Sequence, residues 1–322
     1  MDSNIYETSI RHARESVSAF ADEIEGELEK RTIFGVHITR RITLSILGLF
    51  AVTCIVIGVS FGVDFASSNA KNGIDAKVHR YWSLGETIES SVGKSIYDNT
   101  TDMHEALLWL AESDPLRLDA SSPLEEILQR FVLANLYFAT NGVEWIDQFN
   151  FFSKKNVCEW NDKKLGVFCN NNNQVSSIVM PACNLSGTIP HDIGLLSHMG
   201  TLNLTRNNLI GTIPVSLGIM SSLTSVDLSI NDFVGPLPKS IAMLLDLKYL
   251  DLSNNALEGD DDLDALKNLP NLEELYLSRN KFQGNVGQFG SSESLRVIDL
   301  CEWLVEKLEG YRVLLFIDKS CL

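Results

Sequence analysis

Apolar positions between residues 175 and 300 recur with a period near 24. Units begin at Val175, Met199, Leu223, Leu247, Leu272 and Leu295, with three steps of 24 followed by steps of 25 and 23. Aligned, they share the pattern LxxLxLxxNxLxGxIP. The LxL alternation predicts a short strand with its leucines turned inward and the intervening residues outward. Asn207, Asn231, Asn255 and Asn280 hold the asparagine place, and Cys183 holds it in the first unit. An asparagine there turns the chain inward, where its amide can satisfy backbone groups of neighbouring coils. Gly187, Gly211, Gly235, Gly259 and Gly284, with Pro190, Pro214 and Pro238, permit a tight path on the opposite side. No coil of this kind buries its apolar face alone, so the pattern predicts coils stacked into a curved α/β solenoid.

Other stretches carry other periods. Ile127, Phe131, Leu133, Ala134 and Phe138 fall at near-helical spacing within 123–140 and predict a helix that covers the open end of the first coil. Residues 64–105 are polar and weakly periodic and read as a stalk. Ile42 to Val63 is an uncharged apolar run of 22 residues. At about 1.5 Å per residue it is long enough for a bilayer, so the expectation is one transmembrane helix of the uncleaved signal-anchor kind. Arg40 and Arg41 abut its N-terminal end, which predicts a cytosolic N-terminus and extracellular or lumenal repeats. In the tail, Val17, Phe20, Ile24 and Leu28 recur at helical spacing, either as a docking helix or as a solvated one. The expected organisation is therefore a cytosolic tail (1–41), a transmembrane helix (42–63), a stalk (64–105), an N-terminal cap (106–174), five full repeats with an incomplete sixth (175–300), and a divergent tail (301–322).

The segments LSGTIP, LIGTIPVSLG and VGPLPKSI resemble plant-type leucine-rich repeats, as found in receptor-like proteins. Cys158-Glu-Trp160 followed by Gly166-Val167-x-Cys169 is similar to that family's N-terminal capping motif. RFVLANLYFATNGVEW, followed by CEWN, resembles the cap of receptor-like proteins of diatoms and related algae. The resemblance implies a leucine-rich-repeat horseshoe with a helical N-terminal cap. It also implies a single-pass, kinase-less protein, since a 41-residue tail is too short for a kinase. It implies that Cys158 and Cys169 form a disulfide in an oxidising compartment; the alternative is two buried thiols. The C-terminal tail departs from the family's paired-cysteine cap: it is either a degenerate cap or a truncated reading of a longer gene.

Composition adds exclusions. The formal charge is −16 and the hydrophobic fraction 45%, which argues against nucleic acid as a partner. The six histidines show no metal spacing, and no nucleophile elbow, Walker A or dinucleotide fingerprint is present, so no catalytic residue, metal or cofactor is expected. Asp260, Asp261, Asp262 and Asp264 lack the glycine and terminal glutamate of an EF-hand and read as the start of a convex-side helix. The outward places of the LxL strands are Val179, Asn203, Asp227, Asp251, Tyr276 and Asp299, flanked by Tyr249, Glu274 and Arg279. Of these, Asn203, Asp227, Tyr249, Asp251, Tyr276 and Asp299 are the expected ligand-binding residues, an acidic column with two tyrosines suited to a basic partner. A solvated face is the bland alternative. Sequons at Asn99, Asn184 and Asn203 are candidate glycosylation sites. The function expected is a membrane-anchored recognition protein for a peptide, glycan or protein, with a possible co-receptor. An adhesive or structural surface protein, or a gene fragment, are the alternatives.

Overall fold

The structure is a computed structural model. It describes residues 68–259, 263, 265–266, 269–282, 294–299 and 314–315. The chain divides into two compact units, Met1–Lys71 and Asn72–Leu322, and nearly all described residues belong to the second.

Three helices precede the repeats: α1 (Ser68–Val92), α2 (Asp102–Leu108, continued by one wide turn over Trp109–Ser113) and α3 (Leu124–Ala139). Thr101 caps α2 by accepting from the His104 N–H at 3.3 Å. Where a polar stalk is expected, α1 is instead part of the folded cap. Its Leu84 and Ile88 are fully buried, together with Ile96, Leu107 and Leu110. Helix α3 is buried on nearly all sides because α2 covers one face and the first coil the other. Its buried polar residues each find at least one partner. Arg130 forms a buried ion pair with Asp114 and lies over the rings of Trp109 and Trp160, 5.2 and 4.9 Å from their centroids. The Gln129 side-chain oxygen accepts from the Val175 N–H, and its amide donates to the Asn173 carbonyl at 3.2 Å. Asn135 donates to Asp192 at 2.7 Å.

The strands, numbered in chain order, are β1 (Gly166–Cys169), β2 (Val175–Val179), β3 (Ser186–Gly187), β4 (Thr201–Asn203), β5 (Asn208–Gly211), β6 (Ser225–Asp227), β7 (Asp232–Gly235), β8 (Tyr249–Asp251), β9 (Ala256–Gly259), β10 (Glu274–Tyr276), β11 (Lys281–Phe282), β12 (Val297–Asp299) and β13 (Leu314–Leu315). They form two sheets. The eight-stranded sheet runs β1-β2-β4-β6-β8-β10-β12-β13, antiparallel only at β1–β2. The five-stranded sheet runs β11-β9-β7-β5-β3. Tight turns at His191–Leu195, Val215–Ile219 and Lys239–Met243, each entered through Pro190, Pro214 or Pro238, form the convex back. Between these layers the inward leucines of the strands are fully buried, as Leu202, Leu204 and Leu209 are in the second coil.

The asparagines tie coil to coil. Asn231 accepts from the Leu209 N–H at 3.0 Å and donates to the carbonyls of Leu204, Leu228 and Ser229 at 3.0–3.2 Å. Asn207, Asn255 and Asn280 repeat this pattern, each reaching the coil before it. The residue before each asparagine, Arg206, Ile230, Asn254 or Arg279, is left-handed, with φ between 53° and 59°. At the cap, the Ser186 and Thr188 N–H groups donate to the carbonyls of Thr140 and Ala139 at 3.1 and 3.2 Å. Gly187 is required there: its φ is +119°, and an added Cβ would lie 2.2 Å from the Ala139 carbonyl oxygen. Cys158 and Cys169 are joined by a disulfide across 5.2 Å between Cα atoms. Closing an 11-residue separation, it contributes about 2–3 kcal/mol in the chain-entropy account.

The expectations built on a membrane span are corrected. Among the described residues no helix is long and apolar enough to cross a membrane. The longest, α1, carries Lys71, Asp75, Lys77, Arg80, Glu86 and Glu89 along its length. The transmembrane helix in the fold class, the signal anchor, the membrane-anchored reading of the function and the single-pass, N-terminus-cytosolic localisation are withdrawn. The segment 42–63 on which they rested lies outside the described residues, as do the tail helix, the acidic run at 260–262 and 264, Gly284 and most of 301–322. Leu314–Leu315 does pair in parallel with β12 and extends the sheet.

Replacing Asn231 with Leu strands the buried Leu209 N–H and removes three further hydrogen bonds, to carbonyls that each keep one other donor, Asn207, Asn255 or the Arg206 N–H. We expect a loss of at least about 3 kcal/mol in urea-unfolding free energy. The exposed, left-handed Ile230 behaves oppositely: Ile230→Asn is expected to be neutral or slightly stabilising, because Asn tolerates that backbone region better than a β-branched residue. Equal losses in the two variants would refute the ladder.

Asp192 supplies a second test. Burial pushes its carboxyl up to about 6, only partly offset by the Asn135 hydrogen bond and Lys94, and its Oδ2 has no partner. The unfolded carboxyl titrates near 4, so the folded state holds the proton more tightly. Stability is therefore fullest below about pH 4 and falls as pH rises through about 6. Asp192→Asn removes this fall and is expected to gain roughly 2–3 kcal/mol over the native protein at pH 7 relative to pH 4. A parallel pH dependence in both proteins would contradict it.

Candidate functional site

Parallel pairing turns a place in the repeat into a row across the sheet. Val179, Asn203, Asp227, Asp251, Tyr276 and Asp299 stand opposite one another on successive strands. Beside them runs Ser177, Thr201, Ser225, Tyr249, Glu274 and Val297. All are partly exposed, while the alternating Leu202, Val226, Leu250 and Leu275 are buried. Neighbouring strands lie about 4.8 Å apart, so Asp227, Asp251 and Tyr276 span roughly 10 Å. Asn203 continues the row at the cap-ward end, and Asp299 at the other.

The aspartates are not simple open carboxylates. Asp227 Oδ1 accepts from the Ser229 N–H at 3.1 Å and its hydroxyl at 2.6 Å. Asp251 Oδ1 does the same with Ser253, at 2.9 and 2.7 Å. One oxygen of each thus holds the turn at the strand end. Asn203 holds Thr205 similarly at 3.2 Å, and Ser278 donates to Asp299 at 2.8 Å. These serines were missed from the sequence, although the repeated Asp-Leu-Ser spelling signals such side-chain turns. Arg279 donates to Asn254 at 3.2 Å and leaves the row.

The tyrosines complete the arrangement. Tyr249 donates to Asp251 Oδ2 at 3.4 Å and Tyr276 to Glu274 Oε2 at 3.0 Å, with ring centroids 5.7 Å apart. Burial, then the neighbouring carboxylates, push the Tyr249 phenol up, and burial with Glu274 pushes Tyr276 up to about 12. Burial also raises the Asp251 carboxyl, and Asp227 adds to the rise. Both phenols are neutral hydrogen-bond donors at ordinary pH. Among the described residues no group of His, Cys, Asp and Glu could hold a metal ion.

The remaining candidates lie elsewhere. Asn99 is exposed in a turn before α2. Asn184 is exposed, but its amide nitrogen, the atom a glycan would take, donates to the Glu144 carbonyl at 2.8 Å. Cys183 is a free, buried thiol, pushed up to about 11 by burial.

A family model for the leucine rich repeat matches residues 221–282. No curated protein matches the chain. Solved structures do. The leucine-rich-repeat ectodomain of the receptor kinase SOBIR1 from Arabidopsis thaliana is 38% identical over 39% of this chain and 70% of its own, with a TM-score of 0.38. A plant ice-binding protein is 29% identical over 52% of this chain and 54% of its own, with a TM-score of 0.46. The BIR3–SERK2 complex from Arabidopsis thaliana is 27% identical over 50% and 90%, with a TM-score of 0.40. Such TM-scores carry no ligand across to this chain.

This chain carries a leucine-rich-repeat domain, a fold typical of non-catalytic ligand-binding proteins. More particularly, that domain resembles the ectodomains of plant leucine-rich-repeat receptors.

The turn contacts predict a contrast at one position. Asp251→Asn keeps an oxygen for Ser253 and is expected to leave the melting temperature nearly unchanged. Asp251→Ala removes both bonds and is expected to cost about 1 kcal/mol in thermal unfolding. Equal effects would show that Oδ1 does not hold the turn.

Proposed function

We propose that the repeat domain is a recognition module whose concave sheet holds a peptide, glycan or protein partner. The observation that carries this is the in-register row of partly exposed carboxylates and tyrosines from Asp227 to Tyr276, set on paired strands. Asp227 and Asp251 each commit one oxygen to the turn beyond the strand, and the other oxygen of Asp251 accepts from Tyr249. Two aromatic rings with polar tips add contact area at small entropy cost. The electrostatics favour a basic partner, with the carboxylates acting chiefly on encounter rate. This reading requires no membrane segment.

A second reading has its own observation. Val215, Ile219, Met243 and Leu245 are all more than half exposed on the convex back. Exposed apolar rows of this kind mark interaction surfaces, which suits an adhesive or structural protein whose solenoid docks broadly on a polymer or a neighbouring protein.

A random peptide library displayed on phage, panned on the full chain, separates the two. The recognition reading expects saturable binders. Thr201→Trp with Ser225→Trp, which fill the concave row, should abolish them, while Lys239→Ala and Ser221→Trp on the convex side should not. Binders lost only in the convex variants, or binding confined to insoluble polysaccharides, would assign the work to the other face.

A further inference from the structure

Strands β8 and β10 set four side chains in a checkerboard. Tyr249 stands opposite Glu274, and Asp251 stands opposite Tyr276. The two rings occupy one diagonal and the two carboxylates the other. Each phenol donates to the carboxylate two residues away on its own strand, at 3.4 Å for Tyr249 and 3.0 Å for Tyr276. We propose that this checkerboard is a subsite for a planar cation, the guanidinium of an arginine side chain on the partner. The assignment rests on the reading of the concave sheet as the binding face.

Three observations support it. First, the negative charge is uncompensated: among the described residues no lysine or arginine forms an ion pair with Asp251 or Glu274. The nearby Arg296 is already held by Glu273 at 3.2 Å. Asp227 stands beside Asp251 in the row, so like charges crowd on adjacent strands. Burial and Asp227 both disfavour the Asp251 carboxylate. A cation placed there relieves what the fold leaves unbalanced.

Second, the rings select the shape of the cation. A guanidinium is planar, weakly hydrated, stacks on aromatic faces and presents several donors in a fixed fork. Asp251 Oδ2 and the Glu274 carboxylate lie on adjacent strands on either side of the tyrosine diagonal. An ammonium is a compact, strongly hydrated point charge and uses such a surface less well. A calcium ion would require six to eight oxygens, and Asp251 Oδ1 is already committed to Ser253.

Third, the chain already holds a guanidinium by the same chemistry. In the cap, Arg130 lies over the rings of Trp109 and Trp160 at 5.2 and 4.9 Å and pairs with the Asp114 carboxylate. There the two rings, the acid and the arginine are all internal. On β8 and β10 the rings and acids face outward without their arginine.

The test uses the full chain and a Gly-Arg-Gly amide tripeptide, with binding read by ligand-observed saturation-transfer NMR. Its citrulline counterpart, equal in shape but uncharged, should bind about tenfold more weakly. The lysine counterpart should fall between them. Asp251→Asn combined with Glu274→Gln should reduce arginine binding about tenfold, with no change in melting temperature. Tyr249→Leu combined with Tyr276→Leu should reduce it several-fold, and the Phe pair should restore it, since the rings rather than the hydroxyls face the cation. Equal binding of arginine and citrulline peptides, or arginine binding indifferent to all these variants, overturns the subsite. If library binders are still lost in Thr201→Trp/Ser225→Trp while ignoring arginine and the checkerboard, the subsite fails and the concave reading stands. If no concave substitution affects any binder, both fail.

Discussion

The structure depends on one requirement: the backbone groups at each coil's inward turn have no partner of their own and must find one away from water. The buried asparagine amide meets it. Each amide closes the turn of its own coil and reaches an N–H and a carbonyl of the coil before, as Asn231 does with Leu209 and Leu204. An unanswered buried group costs about 1–3 kcal/mol, so the stacking distance and register of successive coils follow from these amides. The same contacts hold the left-handed residue beside each asparagine, including the β-branched Ile230, in a region it would otherwise avoid.

This backward reach explains why the first coil can dispense with its asparagine. Asn207 of the second coil serves the Cys183 and Leu185 N–H groups and the Met180 carbonyl. The first coil has no earlier coil to serve, so a thiol fills its asparagine place without loss. The task that remains is to cover the open end, and the helical cap does it with polar contacts. Gln129 answers the Val175 N–H, the end of α3 accepts from Ser186 and Thr188, and the Ile146 N–H donates to the Cys183 carbonyl at 3.0 Å. In a buried polar junction of this kind each unmatched member is costly. The matching is incomplete at the Asn135–Asp192 pair, where one side-chain oxygen of each residue has no partner.

These contacts also explain which parts were legible in the sequence. The solenoid was readable because one physical problem recurs every coil and is solved each time by the same residue at the same place. The outward row was readable because strand alternation is strict. Helix α1 was not, because its apolar residues Tyr81, Leu84, Ile88 and Val92 are diluted by charged and hydroxyl side chains on the remaining faces. The second sheet was hidden too, since strands of two to four residues leave no alternation to read. At the site, residue types were legible but their commitments were not. That Asp227 and Asp251 each give one oxygen to a serine depends on the turn geometry beyond the strand. The membrane reading failed differently: it took hydropathy alone as sufficient, with no packing pattern to test it against.

Register finally accounts for where chemistry can vary on this fold. The step from the fourth coil to the fifth is one residue longer than the steps before it, because the stretch from Gly259 to Leu272 exceeds that from Gly211 to Leu223 by one. Had the extra residue fallen within a strand, every side chain beyond it would have changed faces. It falls instead outside the strands, between Gly259 and Leu272, and Asn280 still receives the Leu257 N–H at 3.0 Å, as its counterparts receive theirs. Tyr249 therefore remains opposite Glu274, and Asp251 opposite Tyr276. Because the amide ladder fixes the turn after each strand, a length change between coils leaves the concave rows aligned. Side chains from different coils can then act as one surface, although each coil is joined only to its neighbours.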